Sequence, residues 1–597
     1  MPRREAAKAA PPMDRLAGGS TNEMKGRDPH AGEESWDSLP GMMLGHAARH
    51  PEAPLARHWR DGAWRRLSWG EFAGAVASVA AGLRTAGLAP GDRVLVVSEN
   101  RPEFLVADNA IMASGAITVP TYVTNTAADH RHVLRDSGAR TAIVSTARLA
   151  ARVREAAGEG GLDLLVCMEA CEGAVDWDAL LATPADLPAL LAEVAAIPAG
   201  RLACLIYTSG TGGSPKGVML PHRALLANRA GVLPLIREAG LLWSGAAYLS
   251  FLPLSHSYEH TVGGFLFPSY GIEIVFSRGA DRIASEFTEI EPHVVTTVPR
   301  LFEVLKGRIE ASLEKAKPYQ RALFDRALRL GLRKLDGPPL SILERVQDVV
   351  LERLVRAKVR ARFGSRLAFM VSGGARLDPD LSGFFLALGV NIIQGYGQSE
   401  AGPVISVNLP WDNDRRTAGR PVVGVEARVT EGGEIAVHGD LLMDGYWGDA
   451  AATARALRPL AEAPDGPAWL HTGDVGRIAD GRIHITDRMR DFIKTLGGDM
   501  VSPAKIEGLL MAEPEIAQAV IAGEGKPGLV ALIVPSDGAE PDGAVRRVNG
   551  KLSGIERLRK WAKVEAFTVE NGLLTPTMKV KRRVVLERHA ATLAELH

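Results

Sequence analysis

Apolar and polar positions alternate along this chain with two periods, and the two periods exchange places repeatedly. Residues 68–88 carry apolar side chains at helical spacing, opened by Ser68 with an acid three positions on, Glu71, the pattern of a capping box. Gly91-Asp92 then turns into the unbroken apolar run Arg93-Val94-Leu95-Val96-Val97, a buried strand. A helix over 128–136 precedes another strand, Thr141-Ala142-Ile143-Val144-Ser145, and the same alternation returns over 291–303 and 366–390. Strand and helix in alternation predict parallel sheets covered by helices. Residues 306–363 read as a long helical stretch interrupted only around Asp336-Gly337-Pro338-Pro339, and from Gly419 the texture changes to short strands and turns. Near residue 488 a strand ends in exposed charge, followed by a glycine pair, a new helix and a fresh α/β pattern, as at a hinged domain boundary. The expected architecture is α/β. Residues 1–35 form a disordered tail. Residues 36–487 form a large N-terminal domain of two helix-covered, mainly parallel sheets plus a small β-rich subdomain. Residues 488–597 form a small α+β domain.

Length changes this picture little, because 597 residues exceed one hydrophobic core and call for several. Acids and bases balance at 70 each, so no global field attracts nucleic acid. Three cysteines, Cys167, Cys171 and Cys204, make no disulfide framework, and the Cys167/Cys171 pair lacks the neighbours of a metal site. A reducing cytoplasm fits that usage. Nothing gives the roughly 20 uninterrupted apolar residues of a membrane span. The nearest approach, 230–254, carries Arg237 and Glu238 and two prolines, Pro234 and Pro253. The basic run Arg353, Arg356, Lys358, Arg360 and Arg362 has two readings, a solvated helix face or a surface that meets anionic lipid at the inner membrane face.

Candidate chemistry starts with the loop Thr208-Ser209-Gly210-Thr211-Gly212-Gly213-Ser214-Pro215-Lys216-Gly217, set between apolar runs that read as two strands. Its glycines admit close backbone approach, its hydroxyls donate, and Lys216 supplies a point charge, which suits a polyphosphate. No Gly-Lys-Ser/Thr occurs and no helix opens, so this is not the Walker loop. A strand at 367–371 ends in Ser372-Gly373-Gly374-Ala375, small enough for a flat ring to lie against the backbone. A second ends in Gln394-Gly395-Tyr396-Gly397-Gln398-Ser399-Glu400, where a purine can stack on Tyr396 and Glu400 can hold Mg²⁺. Both lie at carboxyl ends of predicted strands, where α/β sheets bind ligands. Asp474, read as a turn residue between strands, can accept both hydroxyls of a ribose. His256 reads as standing at the end of an apolar strand in Leu252-Pro253-Leu254-Ser255-His256-Ser257-Tyr258-Glu259-His260, and Lys579 is presented by a Gly572/Pro576 turn before Lys581-Arg582-Arg583.

Taken in order, these motifs resemble the adenylate-forming superfamily of acyl-CoA synthetases, firefly-type luciferases and nonribosomal adenylation domains. The resemblance runs from about residue 36 to the C-terminus, and the helical stretch 306–363 is most similar to the long-chain acyl-CoA synthetases. Two departures stand out: Gly212 and Ser399 occupy positions where the family usually has threonine. The resemblance implies a phosphate cradle at 208–216, an adenine pocket at 373–375 and 394–399, and Mg²⁺ on Glu400 with Thr208. Asp474 and Arg488 hold the ribose. His256 stands at the acyl wall, Arg490 is the hinge of a mobile C-terminal domain, and Lys494, Gly497 and Gly498 lie on the coenzyme A side. Lys579 is then the catalytic lysine. The implied reaction joins a fatty acid to ATP as acyl-AMP and passes it to coenzyme A. Transfer to a carrier-protein thiol and ligation of medium-chain or aryl acids remain alternatives. Phe265, Phe267 and Tyr270 stand as either acyl-tunnel lining or core.

Overall fold

The computed structural model describes residues 34–208, 214–279, 281–489, 492–497, 500–569, 571–575 and 580–597. The helix predicted after Ser68 runs Trp69–Thr85, and its capping box is complete: the Glu71 N–H donates to Ser68 Oγ, and the Ser68 N–H to Glu71 Oε2. Strand Arg93–Val97 follows and lies between Ile117–Thr121 and Thr141–Val144, all parallel. With Leu164–Cys167 and Leu202–Thr208 outside them, these strands belong to an eight-stranded sheet in which Leu202–Thr208 pairs with the antiparallel Lys216–Pro221, itself flanked by the short edge strand Gly445–Tyr446.

A nine-stranded sheet sets Glu273–Phe276, Ala247–Ser250, Val294–Thr297, Phe369–Ser372 and Ile392–Gly397 side by side and parallel. The first four of these strands are buried along their whole length, and Ile392–Gly397 is buried at Ile392 and Ile393 and half-buried beyond. Register pairs Thr297 with Ser372 and Ser372 with Gln394, so two strands end side by side while Ile392–Gly397 runs three residues beyond them. Five strands make the predicted β-rich subdomain, with the long Trp469–Ala479 at its centre. After it, Ile516–Ala522, Leu529–Pro535 and Leu558–Lys563 form a three-stranded sheet with its own apolar core under helices Pro503–Met511 and Asp542–Lys551.

Several expectations change. The stretch 306–363 breaks twice, not once: helix Pro299–Glu314 stops before Pro318, which opens Pro318–Asp336 at its first turn, and Ile342–Leu351 follows. Proline lacks an N–H and clashes with the carbonyl four residues back, so it starts a helix far better than it continues one. The basic run does not share one face. Arg353, Lys358 and Arg362 are exposed, whereas Arg356 is buried and donates to the carbonyls of Ala327 and Ala387 while pairing with Asp348 at 2.7 Å. Phe265, Phe267 and Tyr270 are packed into the main core, with the Tyr270 hydroxyl donating to the Arg229 carbonyl. Among the described residues, no helix is long and apolar enough to cross a membrane.

Candidate active site

The hairpin predicted around the glycine-rich loop is present: Leu202–Thr208 pairs antiparallel with Lys216–Pro221, and Thr208 faces Lys216. Ser209, Gly210, Thr211, Gly212 and Gly213 lie outside the described residues. Lys216 is already engaged, since its Nζ is 2.8 Å from Asp449 Oδ2 and 5.3 Å from the centre of the Tyr446 ring. The pair is half exposed, so it contributes at most about 1 kcal/mol and can yield to a stronger anion.

Three remote segments meet at the strand end after Ile392. Tyr396 donates its hydroxyl to Asp474 Oδ2 at 2.6 Å, and Arg488 Nε approaches Asp474 Oδ1 at 3.2 Å. Burial and then the Asp474 charge push the Tyr396 phenol well above its ordinary range, so it stays a donor. Asp474 does not sit on a turn, as its position after Gly473 implied. It lies inside the long strand Trp469–Ala479, directly opposite Arg488 of Arg482–Arg488. That register is why one carboxylate meets both groups. Ser399 Oγ lies 2.7 Å from Ser257 Oγ, and Glu400 Oε1 accepts from the Tyr446 hydroxyl at 2.8 Å. Gln394 Oε1 accepts from the Leu377 N–H at 3.2 Å. Gly395 pairs with Val407, and Gly397 is dictated by packing: a Cβ there would lie 1.7 Å from the Pro403 carbonyl oxygen.

The small residues after Phe369–Ser372 make room for a ring, and at Gly373 that ring is the protein's own. A Cβ there would lie 2.9 Å from Tyr258 Cε1, and the Tyr258 hydroxyl donates to the Val371 carbonyl. Gly374, at φ +75°, and Ala375 are exposed beyond it. Two buried polar atoms at these adjacent strand ends, Ser372 Oγ and Gln398 Nε2, have no hydrogen-bond partner among the described residues. Such atoms are costly to leave unpaired, which fits a site built to be completed by a polar ring.

His256 does not end a strand. The strand finishes at Ser250, and His256 caps the helix Ser257–Thr261, its Nδ1 accepting from the Tyr258 N–H at 3.1 Å. The same motif hides a residue that the sequence reading passed over. Glu259, fully buried, accepts from Tyr248 at 2.5 Å, from Ser250 at 2.6 Å and, on its other oxygen, from Thr296 at 2.8 Å. Burial raises its pKa to about 7, against the pull of those three hydroxyls. An acid within Ser255-His256-Ser257-Tyr258-Glu259-His260, between buried apolar segments, was the available signal. Tyr446 and Asp449 gave none.

In the C-terminal part, Lys494 is exposed on the short strand Ile493–Lys494, its N–H donating to Glu524, and Gly497 is an exposed turn residue. Arg490, Gly498 and Lys579 lie outside the described residues. An isolated antiparallel bridge pairs Leu574 with Val580.

As to a divalent cation, the oxygen ligand that this strand end offers is the Glu400 carboxylate, held by the Tyr446 hydroxyl, and one carboxylate suits Mg²⁺, which commonly binds through one or two carboxylates plus the phosphates of its substrate. Among the described residues, no group of three or more His, Cys, Asp or Glu side chains could hold a metal by itself.

A family model described as AMP-binding enzyme matches residues 45–447, and one described as AMP-binding enzyme C-terminal domain matches 490–591. The long-chain-fatty-acid–CoA ligase FadD15 of Mycobacterium bovis is 33% identical over 604 residues, covering 94% of this chain and 97% of that relative. Among solved structures, the anthranilate CoA ligase AuaEII in complex with anthranoyl-AMP is similar with a TM-score of 0.69 at 21% identity, over 95% of this chain and 99% of that one. O-succinylbenzoate coenzyme A synthetase from Bacillus subtilis, in complex with ATP and magnesium ion, is similar at 0.68 and 18% identity, over 91% and 98%. Both likenesses establish the fold.

Proposed function

Because this chain belongs to the AMP-binding enzyme family, we propose that it joins a long-chain fatty acid to coenzyme A through an acyl-adenylate. The observation that carries the reading is the convergence of Ser257, Asp474 and Tyr446, from three remote segments, on the single strand end 394–400. The long-chain substrate class is supported by the similarity to the mycobacterial ligase across nearly the whole of both chains.

In the first half-reaction an oxygen of the fatty carboxylate attacks the α-phosphorus of ATP, and the bond to pyrophosphate breaks. In the second the thiolate of coenzyme A attacks the acyl carbon, and AMP leaves. Repulsion between two anions dominates the first barrier, so cationic groups at the α-phosphate do most for the rate. Lys579 supplies that charge in this reading, with Lys216 released from Asp449 toward the phosphates. Glu400 would hold Mg²⁺, which would neutralise phosphate charge. Asp474 accepts from the ribose hydroxyls while Arg488 holds its orientation. The adenine lies at Gly374-Ala375 and Tyr396, within reach of Ser372 and Gln398. His256 borders the acyl carboxylate. The domain boundary falls near residue 488, with Arg490 as the pivot that exchanges the Lys579 turn for the Lys494 and Gly497-Gly498 side when coenzyme A enters.

The test is mass spectrometry of the products formed from ATP, Mg²⁺, coenzyme A and a mixture of short, medium, long and aromatic acids. A dominant long-chain thioester with matching AMP and pyrophosphate is expected. A dominant aryl or short-chain thioester overturns the substrate class, and acyl-adenylate without any thioester overturns the acceptor.

A further inference from the structure

Helix Ile342–Leu351 is inside out. An amphipathic surface helix turns its apolar stripe to the core and its charges to water. Here the acids and Gln347 face the protein: Glu344 pairs with Arg333 at 2.6 Å, Asp348 with Lys334 at 2.9 Å and with the buried Arg356, and Gln347 accepts from Arg326. Buried Leu351 and Val355 complete that inner side. The outer side carries Ile342, Leu343, Val346, Val349, Val350 and, in the turn that follows, Leu354. Ile342 is 82% exposed and Val349 62%. Positions 342, 346, 349 and 350 recur at helical spacing, so this is one continuous stripe. A patch of this kind on a folded surface marks an interaction site.

Charge identifies the partner. Arg345 and Arg353 are exposed, and Lys358 and Arg362 continue the basic character beyond the stripe. None of these four has a carboxylate partner among the described residues. The acids of the segment, Glu344, Asp348 and Glu352, are all occupied by arginines or lysines of this chain. The outward face is therefore apolar and cationic together. A second copy fits poorly: an antiparallel pairing about Val349 sets Arg345, four residues before it, against Arg353, four residues after it. We propose that this face docks on the surface of an anionic phospholipid bilayer, its aliphatic stripe among the acyl chains and its arginines among the headgroups. The inference rests on this surface alone and stands apart from the reading of the active site.

Co-sedimentation of the full chain with vesicles tests it. Wild type should sediment with phosphatidylcholine–phosphatidylglycerol vesicles, less with phosphatidylcholine alone, and less again as salt is raised. Val346→Glu with Val349→Glu should lower the bound fraction about tenfold. Arg345→Glu with Arg353→Glu should abolish the preference for phosphatidylglycerol. The substituted side chains are exposed, so both variants should keep the wild-type melting temperature and turnover of a water-soluble short acid. Absence of wild-type binding, or undiminished binding by both variants, overturns the proposal. A lipid-free dimer that Val346→Glu with Val349→Glu dissociates also overturns it and assigns the face to a second copy.

Discussion

Tyr446 donates its hydroxyl to Glu400 at 2.8 Å, while the Lys216 ammonium lies 5.3 Å from the centre of the same ring and pairs with Asp449. One aromatic side chain thus joins the proposed cation-binding carboxylate to the proposed phosphate-binding lysine. Glu400→Gln keeps the shape and removes the charge, and should lower kcat/KM for MgATP by about 100-fold, or ~2.7 kcal/mol. Tyr446→Phe removes only the bond that orients the carboxylate and should cost about tenfold or less. AMP release measured against Mg²⁺ concentration separates them, and unchanged activity in Glu400→Gln removes Glu400 from the cation site.

Lys579→Ala should abolish formation of acyl-adenylate yet largely spare thioester formation from acyl-adenylate supplied ready-made. The reason is that its proposed charge acts on the α-phosphate, which is spent before the thiol arrives. Equal loss of both half-reactions, followed by product analysis, would move the catalytic cation to Lys581 or elsewhere.

Acidity should report on Glu259. Burial raises its pKa to about 7 in the fold, above the ordinary value of 4.5, so the folded protein binds the extra proton between those values. Its contribution to stability is present below 4.5 and is lost as pH rises through 7. His46, His130, His222 and His293 act oppositely: burial depresses them to about 2, 4, 3 and 4. Their contribution is lost as pH falls below about 6.5. Comparing wild type with Glu259→Gln cancels the histidines. Between about pH 5.5 and about pH 8 the variant should gain on the order of 2 kcal/mol relative to wild type. Melting temperatures at both values check this, and parallel shifts would mean that Glu259 is ionised throughout.

Arg356→Ala should destabilise the chain by about 3 kcal/mol. It strips the half-buried Asp348 carboxylate of one partner and leaves the Ala327 and Ala387 carbonyls without their donor. The loss falls at the low end for buried pairs, since Asp348 retains Lys334 at 2.9 Å. Arg353→Ala, on an exposed residue three positions earlier, should change the urea midpoint by less than about 0.5 kcal/mol equivalent.

What the order of residues determined by itself was whatever depends on near neighbours. The Ser68/Glu71 cap, the unbroken run Arg93–Val97 and the hairpin joining Thr208 to Lys216 each follow from burial or bonding within a few positions. The motifs at 373–375 and 394–400 could be placed at strand ends for the same reason. Which element each would meet was a different matter. Asp474 read as a turn residue because glycine precedes it, yet sheet register set it inside a strand between Tyr396, 78 positions away, and Arg488. Glu259 looked like one acid in a polar cluster until strands bearing Tyr248, Ser250 and Thr296 closed around it. The helix at 342–351 is the clearest case. Its apolar positions recur at helical spacing, but the ion pairs of Glu344 and Asp348 with the preceding helix turn that face outward. Periodicity reports that one side of an element is apolar. Only packing decides whether that side meets the core or the solvent, because the choice depends on partners distant in the chain.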